Sequence, residues 1–295
     1  MHIGLFRERG GDRLRAGVVV GDEVADVTDR LEALGPAGPA GLWQPVIEDP
    51  SAIDLTSLAD GAERRPLSEI SWDSPLPRPG KILGAPANYR AHVAEMGNPN
   101  TIYEWGMFLI ANSSVIGPEG TVELPYTDVR TDHEAELAVV IGRTARNVPR
   151  SEALDHVFGY TALLDITVRS TEDRSTRKSF DTFTPIGPWV VTADEIPDPN
   201  DLAVRLWVNG EPRQSSTTAL MIYEVERLIE YASSVMTLYP GDVIATGTPE
   251  GVGPLVNGDR VVCEVERIGR LEVNVSDRHA KPYASREGEA ADASV

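Results

Sequence analysis

The chain has 295 residues, 41% of them hydrophobic, with 46 acidic against 27 basic side chains and a formal charge of −19. That is enough apolar material for one large domain, or a large domain with a small one, and the negative balance argues against nucleic acid or an anionic membrane as a partner. The lone cysteine, Cys263, excludes an intrachain disulfide and reads as a small buried apolar residue.

Residues 1–6 run straight into charged residues, without the pattern of a secretory leader, and no apolar run approaches the roughly 20 residues of a membrane span. A cytoplasmic protein with no membrane partner is expected. Residues 1–75 read as a small N-terminal β-rich domain, with strands at 2–6, 14–20 and 23–27 and turns at Gly10-Gly11 and Gly21-Asp22. Nothing in it carries chemistry, so its expected role is packing. Pro75 to Gly80 reads as a linker. Residues 76–283 read as the catalytic domain, and 284–295, small and acidic, as a disordered tail.

In the second domain, Asn88-Tyr89-Arg90-Ala91-His92-Val93-Ala94-Glu95 puts His92 and Glu95 three apart, on one face of a helical turn. A carboxylate beside an imidazole raises its basicity and fixes its tautomer, which suits a general base acting on water. A surface helix pair has the same spacing.

Next, His133-Glu134-Ala135-Glu136 leads into the apolar run 137–141. Residues two apart on a strand share a face, so Glu134 and Glu136 project side by side. Acids facing water on a solvated strand are the plainer reading, but the run that follows resembles a strand buried on both faces. Asp165 is a single acid interrupting the stretch 158–169, which otherwise looks buried. Buried like charges repel unless a positive charge lies between them. A hard divalent cation on oxygen ligands, Mg2+ or Mn2+ rather than Zn2+, meets that need and leaves positions open for water and substrate.

Arg169 and Lys178 read by default as solvated; beside a metal, Lys178 is placed to stabilise a developing enolate. Residues 222–237 predict a helix, since Val225, Leu228, Ile229, Ala232, Val235 and Met236 share one face and Pro240-Gly241 stops it. Residues 243–245 predict a buried strand. Thr246-Gly247-Thr248-Pro249 is either an ordinary turn or a loop whose N–H groups and hydroxyls hold an anion. Residues 260–266 and 270–275 alternate around Gly269 and predict a hairpin. Phosphate-loop and dinucleotide glycine spacings are absent. The pattern as a whole is α+β and β-rich.

Several of these segments, in this order, resemble the fumarylacetoacetate hydrolase family over about residues 80–278. They are Lys81-Ile82 through Asn88-Tyr89 to His92, Ser113 to Pro118, Glu134-Ala135-Glu136, and Gly159-Tyr160 to Asp165 with Arg169. Lys178 to Pro188, Val208-Asn209-Gly210-Glu211 and Met221 to Pro254 complete the set. The resemblance implies a mixed β-roll core, Mg2+ or Mn2+ on Glu134, Glu136 and Asp165, water activation by His92 with Glu95, and an enolate steadied by Lys178. It also implies substrate contacts from Arg169 and Thr248, and a homodimer.

The implied reaction is C–C bond hydrolysis of a β-diketo acid or acylpyruvate-like substrate. Decarboxylation or enol–keto isomerisation of 2-oxo acids at the same site is the alternative, and a catalytically silent binding protein the alternative of another class. Four positions depart from the family pattern: Ile110 stands where lysine is common, Leu164 where asparagine is, Ser170 where aspartate is and Glu172 where glutamine is. A cation lost and an anion gained predict weaker binding of a dicarboxylate, and hence a less acidic β-dicarbonyl substrate.

Overall fold

The strand Ala135–Ile141 is the spine of the structure, and its alternation divides the interior in two. Ala135, Leu137, Val139 and Ile141 belong to one apolar core, Ala138 and Val140 to another. Burial on both faces explains why the stretch is continuously apolar. The computed structural model describes residues 1–38, 40–50, 53–97 and 99–286.

Ala135–Ile141 pairs antiparallel with Val157–Leu164 on one side and Val243–Ala245 on the other. The sheet continues from Val157–Leu164 through Thr184–Thr192 and His2–Glu8 to Arg15–Val20, Glu23–Asp26 and Glu63–Pro66. In the other direction it runs through Ile82–Gly84 to Phe108–Ile110. A five-stranded sheet of Glu211–Thr217, Ala203–Val208, Arg260–Val265, Gly269–Ser276 and Thr121–Glu123 covers one face. Its Val204, Leu206, Val261, Cys263 and Leu271 share a core with Leu137 and Val139. Burial pushes the Cys263 thiol up to about 12, so it behaves as an apolar side chain. The expected β-rich α+β class, strand 243–245 and the 260–275 hairpin are all present.

The N-terminal strands lie in the same large sheet, because His2–Glu8 pairs with Thr184–Thr192. Ile3, Leu5, Trp43 and Ile47 pack in the second core with Ala138, Val140 and Leu163. The Trp43 indole N–H donates to the Gly4 carbonyl at 2.9 Å. Leu76, within the segment read as a linker, is fully buried in that core. Of the segment read as a tail, Tyr283–Ser285 closes a 3-10 turn and Arg286 pairs with Glu172; residues 287–295 lie outside the described residues. No helix among the described residues is long and apolar enough to cross a membrane.

The predicted helix 222–237 is shorter, Val225–Val235. Asn88 takes the preceding backbone: its carbonyl accepts from Ile222 N–H and its side-chain oxygen from Tyr223 N–H, each at 2.7 Å. Those donors are therefore committed before the helix begins. Val225, Leu228, Ile229 and Ala232 form its buried face, as their spacing predicts.

Close approach constrains the central ladder at Gly159, where a Cβ would lie 2.2 Å from the Val191 carbonyl oxygen. Gly159→Ala is expected to cost about 1–3 kcal/mol. Urea denaturation should show this as a lower midpoint with an unchanged slope.

Candidate active site

Strand register assembles the acids. Ala135 faces Leu164 in one ladder and Asp132 faces Thr167 in the next, both antiparallel and in the same register. Glu134 therefore lies opposite Asp165, and the Asp165 N–H donates to the Glu134 carbonyl at 2.9 Å. Glu136 follows two residues on, on the same face. The three side chains are buried, and one ligand oxygen from each lies within 4.8 Å of the others.

The charges around them are unevenly shared. Lys178, at the end of the short helix Arg174–Lys178, donates from Nζ to Glu134 Oε2 at 2.8 Å, Asp165 Oδ2 at 2.5 Å and Thr167 Oγ1 at 2.7 Å. Arg169 donates to Asp132 Oδ2 at 2.7 Å and Glu134 Oε1 at 2.8 Å. Among the described residues Glu136 accepts a hydrogen bond from a neutral donor alone, Gly247 N–H at 2.7 Å, from the loop after Val243–Ala245.

The protonation equilibria follow. Burial opposes ionisation of Glu134, but Lys178 and Arg169 overcome it and hold this carboxyl below the usual range. Burial and the Asp165 charge push Glu136 well above it. Burial also pushes Asp165 up to about 6, against the pull of Lys178. Burial disfavours the Lys178 charge, yet Asp165, Glu134 and Glu136 hold it above its ordinary value. Asp165 Oδ1 is buried with no hydrogen-bond partner among the described residues. An all-oxygen donor set, excess negative charge and an unpartnered buried oxygen fit a hard divalent cation.

His92 and Glu95 share the turn Arg90–Glu95, with His92 Nδ1 3.0 Å from Glu95 Oε2. Glu95 Oε1 accepts from Gly251 N–H at 3.0 Å, so the carboxylate is held from both ends. Buried Asn88 anchors the start of the turn by donating to the Tyr223 and Thr246 carbonyls. His92, the three acids, Arg169, Lys178 and Thr248 line one cavity of about 190 Å³. Glu95 stands behind His92. Thr248 Oγ1 accepts from Gln214 Nε2 at 2.8 Å, and Gln214 Oε1 accepts from Ala135 N–H, tying this loop to the acidic strand.

Two charged cavity residues were not singled out by the sequence reading. Arg174 and Arg177 line the same space. Two of the positions behind the expected weak dicarboxylate binding lie away from the cavity. Ile110 is buried in the second core, packed with residues such as Ile82 and Ala138. Glu172 Oε1 accepts from Tyr283 Oη at 2.5 Å and pairs with Arg286 at 3.3 Å. Neither lines the cavity, whereas the two arginines do. Leu164 packs in the first core.

Fold and site define the class: a β-rich protein with a buried tricarboxylate centre suited to a divalent ion. Residues 81–276 match the family model described as fumarylacetoacetate (FAA) hydrolase C-terminal, and the chain belongs to the fumarylacetoacetate hydrolase family of enzymes. It is 46% identical over 275 residues to maleylpyruvate hydrolase of Aquipseudomonas alcaligenes, covering 88% of this chain and 96% of that protein. A crystal structure of maleylpyruvate hydrolase from Sphingobium sp. SYK-6, in complex with manganese(II) and pyruvate, superposes with a TM-score of 0.82 at 41% identity, over 94% of this chain and 99% of that one. The 5-carboxymethyl-2-hydroxymuconate delta-isomerase from Mycobacterium smegmatis gives a TM-score of 0.74 at 33% identity, over 94% of this chain and all of that one (100%).

Because Asp165 titrates at about 6 rather than 3.8, the folded protein holds its proton more tightly than the unfolded chain. That contribution to stability is fully present below the unfolded value and is lost as the pH rises through about 6. A divalent ion must displace this proton, so Mn2+ should raise the Tm more at about pH 7.5 than at about pH 5. At an ion concentration about a hundredfold above Kd the gain is about 3 kcal/mol. Asp165→Asn should remove most of it in the same thermal titration.

Proposed function

We propose that this chain is a Mg2+- or Mn2+-dependent hydrolase that cleaves the C–C bond β to the 2-oxo group of an acylpyruvate-like acid. One observation carries the reading: the His92–Glu95 pair and the three buried acids converge on a single cavity. The maleylpyruvate hydrolase relatives support it, one of them holding manganese(II) and pyruvate, the fragment that cleavage of an acylpyruvate releases.

A divalent ion held by Glu134, Glu136 and Asp165 would supply the positive charge that withdraws electrons from the 2-oxo acid group. The chain's own residues do the rest. Glu95 accepts from His92 Nδ1–H, which leaves Nε2 as the base. Nε2 takes a proton from water, and the hydroxide adds to the acyl carbonyl carbon. The bond from that carbon to the methylene breaks. Its electron pair becomes the enolate of the three-carbon fragment, and the acyl group leaves as a carboxylic acid. The proton on His92 then passes to the methylene carbon, giving pyruvate and neutral imidazole.

Lys178 is held protonated by its acids, so in this reading it is a fixed cation for the developing enolate and not a base. Thr248 Oγ1 already accepts from Gln214, and its own hydrogen is directed to substrate oxygen.

His92→Ala is expected to lower kcat by about 10²- to 10⁴-fold, while the Mn2+-dependent rise in Tm persists. Turnover in ¹⁸O-labelled water should place label in the released acid. Turnover without label would replace hydrolysis by isomerisation or decarboxylation.

A further inference from the structure

Lys178 is held by the acids of the cavity, and that hold is weakest when the enzyme is ready to act. Its Nζ touches Glu134 and Asp165, two of the three candidate metal ligands. In the loaded protein those oxygens serve a divalent ion, and two cations sharing them repel. The helix that carries Lys178, Arg174–Lys178, has five residues, too few to be stable by itself in water. A second restraint on Lys178 is therefore needed.

Residues 281–286 reach both ends of that helix. Ahead of it, Glu172 Oε1 accepts from Tyr283 Oη at 2.5 Å and pairs with Arg286 Nε at 3.3 Å. The Arg286 guanidinium in turn stacks 3.8 Å from the centre of the Tyr283 ring. Just past the helix, Phe180 meets Tyr126 edge to face at 5.8 Å between ring centres, and Tyr126 meets Tyr283 the same way at 4.9 Å. The segment is itself anchored. Lys281 N–H donates to the Pro125 carbonyl at 3.1 Å, and Tyr283 N–H to Asp128 Oδ1 at 2.7 Å. It lies beyond residues 81–276, the part matched by the family model, and none of these groups lines the cavity.

We infer that residues 281–286 are a clasp, with Tyr283 as its positioning residue, that keeps Lys178 on the acids when a divalent ion joins them. This rests on the reading above, in which Lys178 is the fixed cation for the enolate. Such a clasp has a consequence that ordinary support of the fold does not. It holds one cation against another, so it weakens ion binding while it raises turnover.

The test measures Mn2+ Kd by isothermal titration, and kcat for an acylpyruvate at saturating Mn2+ per folded enzyme. The proteins are full-length wild type, Tyr283→Ala, Tyr283→Phe, Lys178→Met and the double variant of Lys178→Met with Tyr283→Ala. Freed from the clasp, Lys178 moves off the acids. Tyr283→Ala should therefore bind Mn2+ about threefold or more tighter and turn over about tenfold or more slower, with KM little changed. Tyr283→Phe, which keeps the ring and loses the hydroxyl, should lie between, and it carries the test if Tyr283→Ala does not fold. In the Lys178→Met background, Tyr283→Ala should change neither quantity. A merely structural contact predicts the opposite sign for the metal, since a loosened site binds Mn2+ more weakly. Unchanged or weaker Mn2+ binding, unchanged kcat, or an equal effect with Lys178 removed overturns the clasp. Should wild type turn over no acylpyruvate, the reaction reading falls, and the Mn2+ measurements still decide the clasp.

Discussion

The structure depends on one electrostatic constraint: three carboxylates held together, away from water, by backbone register. Glu134 and Asp165 face each other because their strands are antiparallel, and Glu136 joins them because side chains alternate. None of the three can retreat to solvent without breaking the ladder that runs on into the apolar core. Positive charge must therefore come to the acids. Lys178 and Arg169 satisfy Glu134, the most heavily partnered, and leave Glu136 and Asp165 resisting ionisation. The two acids that resist ionisation are those an ion can still stabilise, although Lys178 reaches Asp165 as well as Glu134.

His92 is positioned by the same economy of strand and loop. Asn88 fixes the start of the His92 turn by bonding to Thr246 and Tyr223, and Thr246 itself donates to the Leu137 carbonyl. The loop that caps Glu136 and the turn that carries His92 are therefore braced against one another. Gln214 adds a second brace, from Ala135 to Thr248. The relative position of His92 and the acids is set by buried polar residues that touch neither.

Much of this was legible in the sequence, for physical reasons. Acids inside apolar runs are conspicuous, because burying a carboxylate is costly unless something answers it. The 260–275 hairpin and the 225–235 helix show because hydrophobic period reports directly on strand and helix. What the sequence concealed depended on long-range contacts. The helix starts late because Asn88, 135 residues away from Tyr223, claims its approach. Leu76 is core although prolines around it suggest a linker. Arg174 and Arg177 gave no signal, since nothing local tells a charged turn facing water from one facing a cavity. Glu172 misled in the opposite sense: its partners, Tyr283 and Arg286, are more than a hundred residues downstream.

The pairing of His2–Glu8 with Thr184–Thr192 has a bearing on what counts as the functional unit. The family-matched segment, 81–276, contains Thr184–Thr192 but not the N-terminal strand bonded to it. Excised alone, that segment would leave the backbone at Val190 and Val191 without its strand partner. The first strand thus covers an edge that the family-matched segment alone would leave open.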